Sequence, residues 1–332
     1  MDHTFTESAG LFLTDNKVLI SSVVGTVIGF LLMRVFVAGG VCVSKKRLDG
    51  KTVIITGCNT GIGLETAKEL SARGARVIMA CRDIGRASKA ADIVKTFSGN
   101  SDVSVERLDL ASLDSVRKFA GVILKNEERI DILINNAGVM MCPKWNSEDG
   151  YEMQFATNHL GHFLLTNLLL DRIKNSAPSR IINVSSSAHY QGTIDFDDIN
   201  HDKNYSSFFV YAQSKLANVL FTKELARRLQ DTGVTTNSLH PGVINTELSR
   251  HIQAWMTPLL FRLLQPLTGF MKTPLQGAQT TLHCALDERL DNVSGNYFSD
   301  CTEKKPSKAA LNMEAAKRLW QVSEEMVAKA RK

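Results

Sequence analysis

Thr52-Val53-Ile54-Ile55-Thr56, followed without a break by Gly57-Cys58-Asn59-Thr60-Gly61-Ile62-Gly63, decides the fold of this chain. The first five residues are a β-branched apolar run, too short for a helix and closed by glycine, the pattern of a strand buried on both faces. The glycines then open a helical stretch, Ile62–Arg73. Glycine there lets the backbone turn sharply and approach a pyrophosphate, while the first helical amides supply donors and the positive end of the helix dipole. A plain strand-to-helix turn would use the same glycines; their place directly behind a buried strand favours the phosphate reading.

Outward from this segment the pattern repeats. Runs at Arg76–Ala80, Val103–Leu108, Ile130–Asn135, Arg180–Ser185 and Val234–Leu239 follow, with a seventh at Asn296–Phe298. Helical stretches such as Leu113–Glu127, Gly150–Lys174 and Phe209–Gln230 lie between them. Short runs alternating with helices predict an α/β fold, a doubly wound and mainly parallel seven-stranded sheet. Such sheets bind ligands outside the carboxyl ends of their strands, so the residues just after each run carry the functional information.

The second run ends in Ala80-Cys81-Arg82-Asp83. An acid at that strand end would accept from the ribose hydroxyl of NAD; an arginine suits a 2′-phosphate, so Arg82 predicts NADP(H). Asp83 stands one step late and reads as the cap of the next helix. Asp109 and Leu110 close the third run, and Asn136, Ala137 and Gly138 close the fourth with small residues against which a cofactor could lie, although a plain turn explains either equally well when taken alone. The fifth runs into Ser185-Ser186-Ser187. Downstream, Tyr211 and Lys215 stand four apart, on one face of a helix. An ammonium beside a phenol is expected to lower the phenol's pKa from about 10 and fit it for proton exchange, with Ser186 orienting a carbonyl oxygen. Tyrosine on such a helix is otherwise a core residue; the pair, the serine strand end and the glycine loop, in this order, point to chemistry.

These residues resemble the short-chain dehydrogenase/reductase family over about Lys51–Ser299, and within it the group that includes retinol dehydrogenases 11 to 14. The resemblance is carried by the glycine loop, Ala80-Cys81-Arg82-Asp83, Asn158-His159-Leu160-Gly161-His162-Phe163, Ser214-Lys215-Leu216-Ala217-Asn218 and Leu239-His240-Pro241-Gly242-Val243. It implies a Rossmann sheet and a catalytic tetrad of Asn158, Ser186, Tyr211 and Lys215. Tyr211 would exchange the proton, Ser186 would hold the substrate oxygen, Lys215 would bond the nicotinamide ribose, and Asn158 would support a water relay to Lys215. The implied cofactor set is Gly57, Asn59, Thr60, Gly61, Ile62, Gly63, Arg82, Asp109, Leu110, Asn136, Ala137 and Gly138, completed by Tyr211, Lys215, Pro241, Gly242, Val243 and Thr246. Ser186 and Tyr211 stand 25 positions apart, a wider gap than most of the family has. The inserted stretch, with Asp195-Phe196-Asp197-Asp198, resembles the same insertion in the retinol group. Cys58 stands where alanine is usual. His159 and His162 have no cysteine or glutamate cluster about them and read as packed helix residues, so no metal is expected.

Val18–Ala38 is 21 residues with one charge, Arg34. A helix of that length spans about 31 Å, enough for a hydrocarbon core, and predicts a single-pass membrane anchor. The acidic segment before it (Asp2, Glu7, Asp15) fits a signal or transit peptide poorly, although Val37-Ala38-Gly39 has the form of a cleavage site. Lys45, Lys46, Arg47 and Lys51 follow the span, which by the positive-inside tendency puts the domain in the cytosol. The expected division is a short segment at 1–17, an anchor at 18–38, a basic linker at 39–50 and one domain at 51–332, its substrate loop at about 246–274. Residues 252–271 are strongly apolar; they fit a packed helix pair and an apolar substrate arriving from a membrane equally well.

A formal net charge of +5 in 332 residues is too mild to point to nucleic acid. Six scattered cysteines without a Cys-x-x-Cys pair fit a reducing compartment and speak against zinc or dithiol chemistry. The expected protein is a membrane-anchored NADP(H) oxidoreductase that interconverts retinal and retinol, or similar apolar aldehydes and alcohols, and works reductively in cells. The rivals are a reductase of steroids or lipid aldehydes, and a silent nucleotide-binding scaffold on a membrane. The endoplasmic reticulum membrane is expected first and a mitochondrial membrane second. A homo-oligomer is compatible with either.

Overall fold

The structure, a computed structural model, describes residues 17–244 and 271–330. Thr246 and most of the expected substrate loop lie outside these. The first element is α1 (Lys17–Ala38). The domain then runs β1 (Thr52–Thr56), α2 (Gly61–Ala72), β2 (Arg76–Cys81), α3 (Ile84–Ser98), β3 (Val103–Arg107), α4 (Leu113–Asn126) and β4 (Ile132–Asn135). One helical turn at Met153–Phe155 and a π turn at Ala156–Leu160 lead into α5 (Gly161–Asn175), followed by β5 (Ser179–Val184), α6 (Ser207–Arg228) and β6 (Val234–His240). The chain closes with α7 (Pro274–Leu286), β7 (Tyr297–Ser299), β8 (Thr302–Lys304) and α8 (Met313–Lys329).

The strands form one sheet in the order β3-β2-β1-β4-β5-β6-β7-β8, parallel throughout except for β8. Order reverses between β1 and β4, the crevice where a doubly wound sheet takes its ligand. Both faces are covered. Ile54, Ile78, Leu133 and Ile181 pack beneath α4, α5 and α6, while Val53, Ile55, Val77, Met79 and Ile134 pack beneath α2, α3 and α7. This double burial is why the strands read as unbroken apolar runs rather than as alternating ones.

Two differences from the sequence reading have local causes. The sheet has an eighth strand where seven were expected. Thr302–Lys304 is exposed, antiparallel and partly charged, so it carries no apolar signature; Asp300 and Cys301, both at positive φ, make the two-residue turn that pairs it with β7. The stretch Gly150–Lys174 is not one regular helix, because the π turn at Ala156–Leu160 widens it. That wider turn carries Asn158, and such bulges gather at functional sites.

From Gly39 the chain lies along α7 rather than hanging free. Cys42 N donates to Gln279 Oε1 (3.1 Å), Ser44 Oγ to the Leu286 carbonyl (3.2 Å), and Leu48 N to the Arg73 carbonyl (2.8 Å). Lys46 and Lys51 are tied into the domain through Asp291 and Asp131, while Arg47 pairs locally with Asp49.

Candidate active site

The glycine loop is built so that no side chain fits. Gly57 has φ +63°, and a Cβ there would lie 2.7 Å from Ala137 Cβ; a Cβ on Gly63 would lie 2.7 Å from the Gly57 carbonyl oxygen. Asn136 braces the turn, donating through Nδ2 to the Thr56 and Gly57 carbonyls (2.8 and 3.1 Å). Thr60 precedes α2 without capping it by its side chain, whereas Asp83, Ser112, Thr273 and Asn312 each cap the helix they precede. The first amides of α2 therefore carry no side-chain acceptor, as is also true of α6 behind Ser206, and α2 alone of these two opens on the glycine loop.

This loop is one wall of a groove of about 320 Å³. Every residue expected to hold a cofactor from Gly57 to Gly138 lines it, Arg82 included. Asp83 caps α3 through the Arg86 amide (3.0 Å), as its position implied. Arg86 and Thr157 also line the groove and were not anticipated. Arg86 could have been found, because it stands one helical turn beyond Arg82. Pro241, Gly242 and Val243 do not line the groove; they follow β6, where Lys272 N donates to the Val243 carbonyl (2.9 Å). The glycine socket, the open amides and the strand-end arginine suit a phosphate-bearing dinucleotide.

At the Gly138 end the four tetrad positions converge. A Cβ on Gly138 would lie 3.1 Å from Asn158 Oδ1 and 3.5 Å from Lys215 Nζ. Asn158 is fully buried: its Oδ1 accepts from Val139 N (2.8 Å), while Nδ2 donates to the Val139 carbonyl (3.0 Å) and Ser214 Oγ (2.9 Å). Ser214 in turn donates to the Tyr211 carbonyl (2.7 Å), and Lys215 Nζ to the Val184 carbonyl (3.2 Å). Ser185 holds the helix to the strand end through the Lys215 carbonyl (2.7 Å). Ser186 Oγ accepts from Ala188 N (3.2 Å), which fixes its hydroxyl at the start of a short 3₁₀ turn.

The electrostatics depart from expectation in one respect. Lys215 Nζ stands 5.7 Å from the centre of the Tyr211 ring. Yet burial pushes the phenol up to about 12, with the Ser186 hydroxyl acting the other way, and pulls the Lys215 ammonium down to about 8. The expected lowering of Tyr211 does not occur in the protein alone. Desolvation penalises both charged forms, and at this separation the ammonium does not offset it.

His162 is the bridge between the groove and the tetrad. Its Nδ1 donates to the Asn158 carbonyl (3.1 Å), which leaves Nε2 to accept from Thr56 Oγ1 (2.8 Å). His159 meets Ser323 Oγ (2.9 Å). Both are packed histidines, and among the described residues no cluster could hold a metal. Burial pulls His162 down to about 4, so it is neutral at pH 7. Between pH 6.5 and 4 the unfolded chain takes up a proton that the folded chain does not, so stability falls as pH falls through that window. The loss at pH 5 should be about 2 kcal/mol for His162. Unfolding in detergent micelles at pH 7 and pH 5 checks this: His162→Gln should flatten the pH dependence, and an unchanged slope would contradict the burial.

Comparison with known proteins agrees with this architecture. Residues 51–257 match the short chain dehydrogenase family. The chain is 55% identical over 309 residues to retinol dehydrogenase 13 of Mus musculus, covering 92% of each chain. It is 54% identical over 295 residues to retinol dehydrogenase 12 of Homo sapiens, covering 89% of this chain and 92% of that one. Among solved structures, an uncharacterized Mycobacterium paratuberculosis protein superposes with TM-score 0.70 at 36% identity, over 87% of this chain and 98% of its own. The complex of Pseudomonas aeruginosa RhlG with NADP superposes with TM-score 0.61 at 25% identity, over 76% of this chain and 95% of its own. The chain belongs to the short chain dehydrogenase family, in the group of retinol dehydrogenases 11 to 14, and is an oxidoreductase that uses a nicotinamide cofactor.

Proposed function

We propose that this protein is a membrane-anchored, NADP(H)-dependent reductase of retinal and similar apolar aldehydes, able to run in reverse on the alcohols. The carrying observation is that Asn158 and Lys215 stand beside Gly138 at the end of the groove, with the Tyr211 ring 5.7 Å from Lys215 Nζ and its hydroxyl bonded to Ser186. Arg82, with Arg86 beside it, would hold the 2′-phosphate; the loop from Gly57 to Gly63 would hold the pyrophosphate. Asp109, Leu110, Asn136, Ala137 and Gly138 would flank the rest of the cofactor. Pro241, Gly242, Val243 and Thr246 would cover the nicotinamide. When bound, the cofactor supplies the hydride.

The chain's own residues handle the proton and the oxygen. Ser186 holds the substrate oxygen. Tyr211, protonated at neutral pH because its phenol titrates near 12, gives its proton to that oxygen as the carbonyl is reduced. Lys215 holds the cofactor ribose, and Asn158 keeps the Val139 turn and Ser214 in register with it. The identity to retinol dehydrogenases 12 and 13 supports the retinoid class. NADPH oxidation by the full chain in micelles, with retinal, a ketosteroid and an alkanal as substrates, tests it; turnover confined to the steroid would overturn the retinoid assignment.

The bilayer is bound through α1, whose segment Ser21–Ala38 has mean hydropathy 1.9 and is not buried in the protein. We place it in the endoplasmic reticulum with the domain in the cytosol. Protease added outside sealed microsomes should digest the domain, and carbonate should not extract it. Asn204 and Asn292 are exposed and begin glycosylation sequons, while Asn183 is buried on β5. All three should stay unmodified; a glycosidase-sensitive mass shift would put the domain in the lumen.

A further inference from the structure

The two edges of the sheet differ in charge, although both expose apolar side chains, Phe97 (56%) at the amino edge among them. Its amino edge carries a belt of ion pairs: Arg76 with Asp102 and Glu127, Arg129 with Asp131, and Arg180 with Asp291. At the carboxyl edge, exposed apolar side chains stand near the site, with Val243 63%, Phe209 56% and Leu275 48% exposed. Val243 follows β6, and Phe209 and Leu275 open the helices α6 and α7.

The apolar helix α1 ends at this same carboxyl edge. Gly39 and Gly40 press on Asp300, in the turn after β7, so closely that a Cβ on either would overlap it; one on Gly39 would also lie 2.5 Å from Lys272 Nζ. Gly39 takes φ +69°, a conformation that favours glycine. Lys272 is buried, paired with Asp300, and bonded through its own amide to the Val243 carbonyl. Arg34 Nη1 reaches the Met271 carbonyl (3.0 Å). The anchor is therefore jointed to the residues that support Pro241–Val243, and the segment 39–50 then leads away toward the charged edge.

We propose that the carboxyl edge is a membrane-docking surface, held against the lipid by the Gly39–Gly40 joint, and that apolar substrate reaches the site from the bilayer rather than from water. The occupant is a lipid surface because an apolar span leaves from this edge, Val243, Phe209 and Leu275 are exposed at the same edge, and the charged belt lies at the opposite one. The substrate route rests on the function proposed above.

The test uses the full chain, carrying Cys42→Ser and Cys301→Ser, reconstituted in phosphatidylcholine vesicles. Phe209→Cys, Leu275→Cys and, at the amino edge, Phe97→Cys are each labelled with a nitrobenzoxadiazole dye and exposed to doxyl-phosphatidylcholine. Quenching should be at least threefold stronger at 209 and 275 than at 97. Equal quenching at all three overturns the docking surface. In parallel, Phe209→Glu with Leu275→Glu should raise KM about tenfold for retinal dissolved in the vesicles and leave hexanal, presented from water, unchanged. Equal effects on both aldehydes overturn the lipid route. If quenching follows the expected order but neither aldehyde is reduced by the native chain, the docking stands and the proposed function, with its substrate route, falls.

Discussion

Tyr211→Phe should lower the rate of aldehyde reduction by about 10²–10⁴-fold while leaving NADPH binding nearly intact. The substitution keeps the ring in its buried place and removes only the proton. Burial holds the phenol up to about 12 in the protein alone, so at neutral pH it carries the proton that aldehyde reduction uses. Reduction should therefore weaken, and alcohol oxidation strengthen, as pH rises toward that value. Lys215→Arg should fail as well, since a planar guanidinium cannot take the place of a point ammonium bonded to the Val184 carbonyl. Pre-steady-state reduction measured over a range of NADPH concentrations separates the two: the tyrosine variant should lose turnover alone, the lysine variant turnover and some affinity.

Arg82→Ala should cost about 1.5–3 kcal/mol of NADPH binding, roughly ten- to hundredfold, and leave NADH binding almost unchanged. The arginine lines the groove at the end of β2; Asp83 lines it too, but its Oδ1 is taken by the Arg86 amide at the start of α3. Arg86→Ala should give a smaller loss of the same sign, and the double variant should lose nearly all discrimination. Titration of both cofactors by fluorescence checks this. Equal affinity of the native protein for NADH and NADPH would contradict the assignment of Arg82.

What the sequence could reveal here is what depends on neighbours along the chain. The glycine loop, the strand-end Arg82, the Asp83 cap and the Tyr211–Lys215 spacing are local patterns: the loop and Arg82 line one groove, Asp83 caps α3, and Tyr211 and Lys215 share one helix. What it hid depends on tertiary contact. Nothing around Asn158 announces the π turn that aims its amide at Val139 and Ser214. The direction of the Tyr211 shift was misread because burial, which decides it, cannot be seen in a spacing. The run Lys45-Lys46-Arg47 read as a basic linker, yet Lys46 is paired to Asp291 of the domain, and Arg47 to Asp49 two residues on. A short charged strand such as Thr302–Lys304 has no periodicity to betray it.

The central claim is that this chain moves a hydride from NADPH to an apolar aldehyde while Tyr211 supplies the proton. Its most direct test is mass spectrometry of the retinol formed when the full chain reduces retinal with NADPH deuterated at the transferable position, run beside Tyr211→Phe. The native chain should place one deuterium on the carbinol carbon, and the variant should form almost no product. Unlabelled retinol, or equal yields from the two proteins, would contradict it.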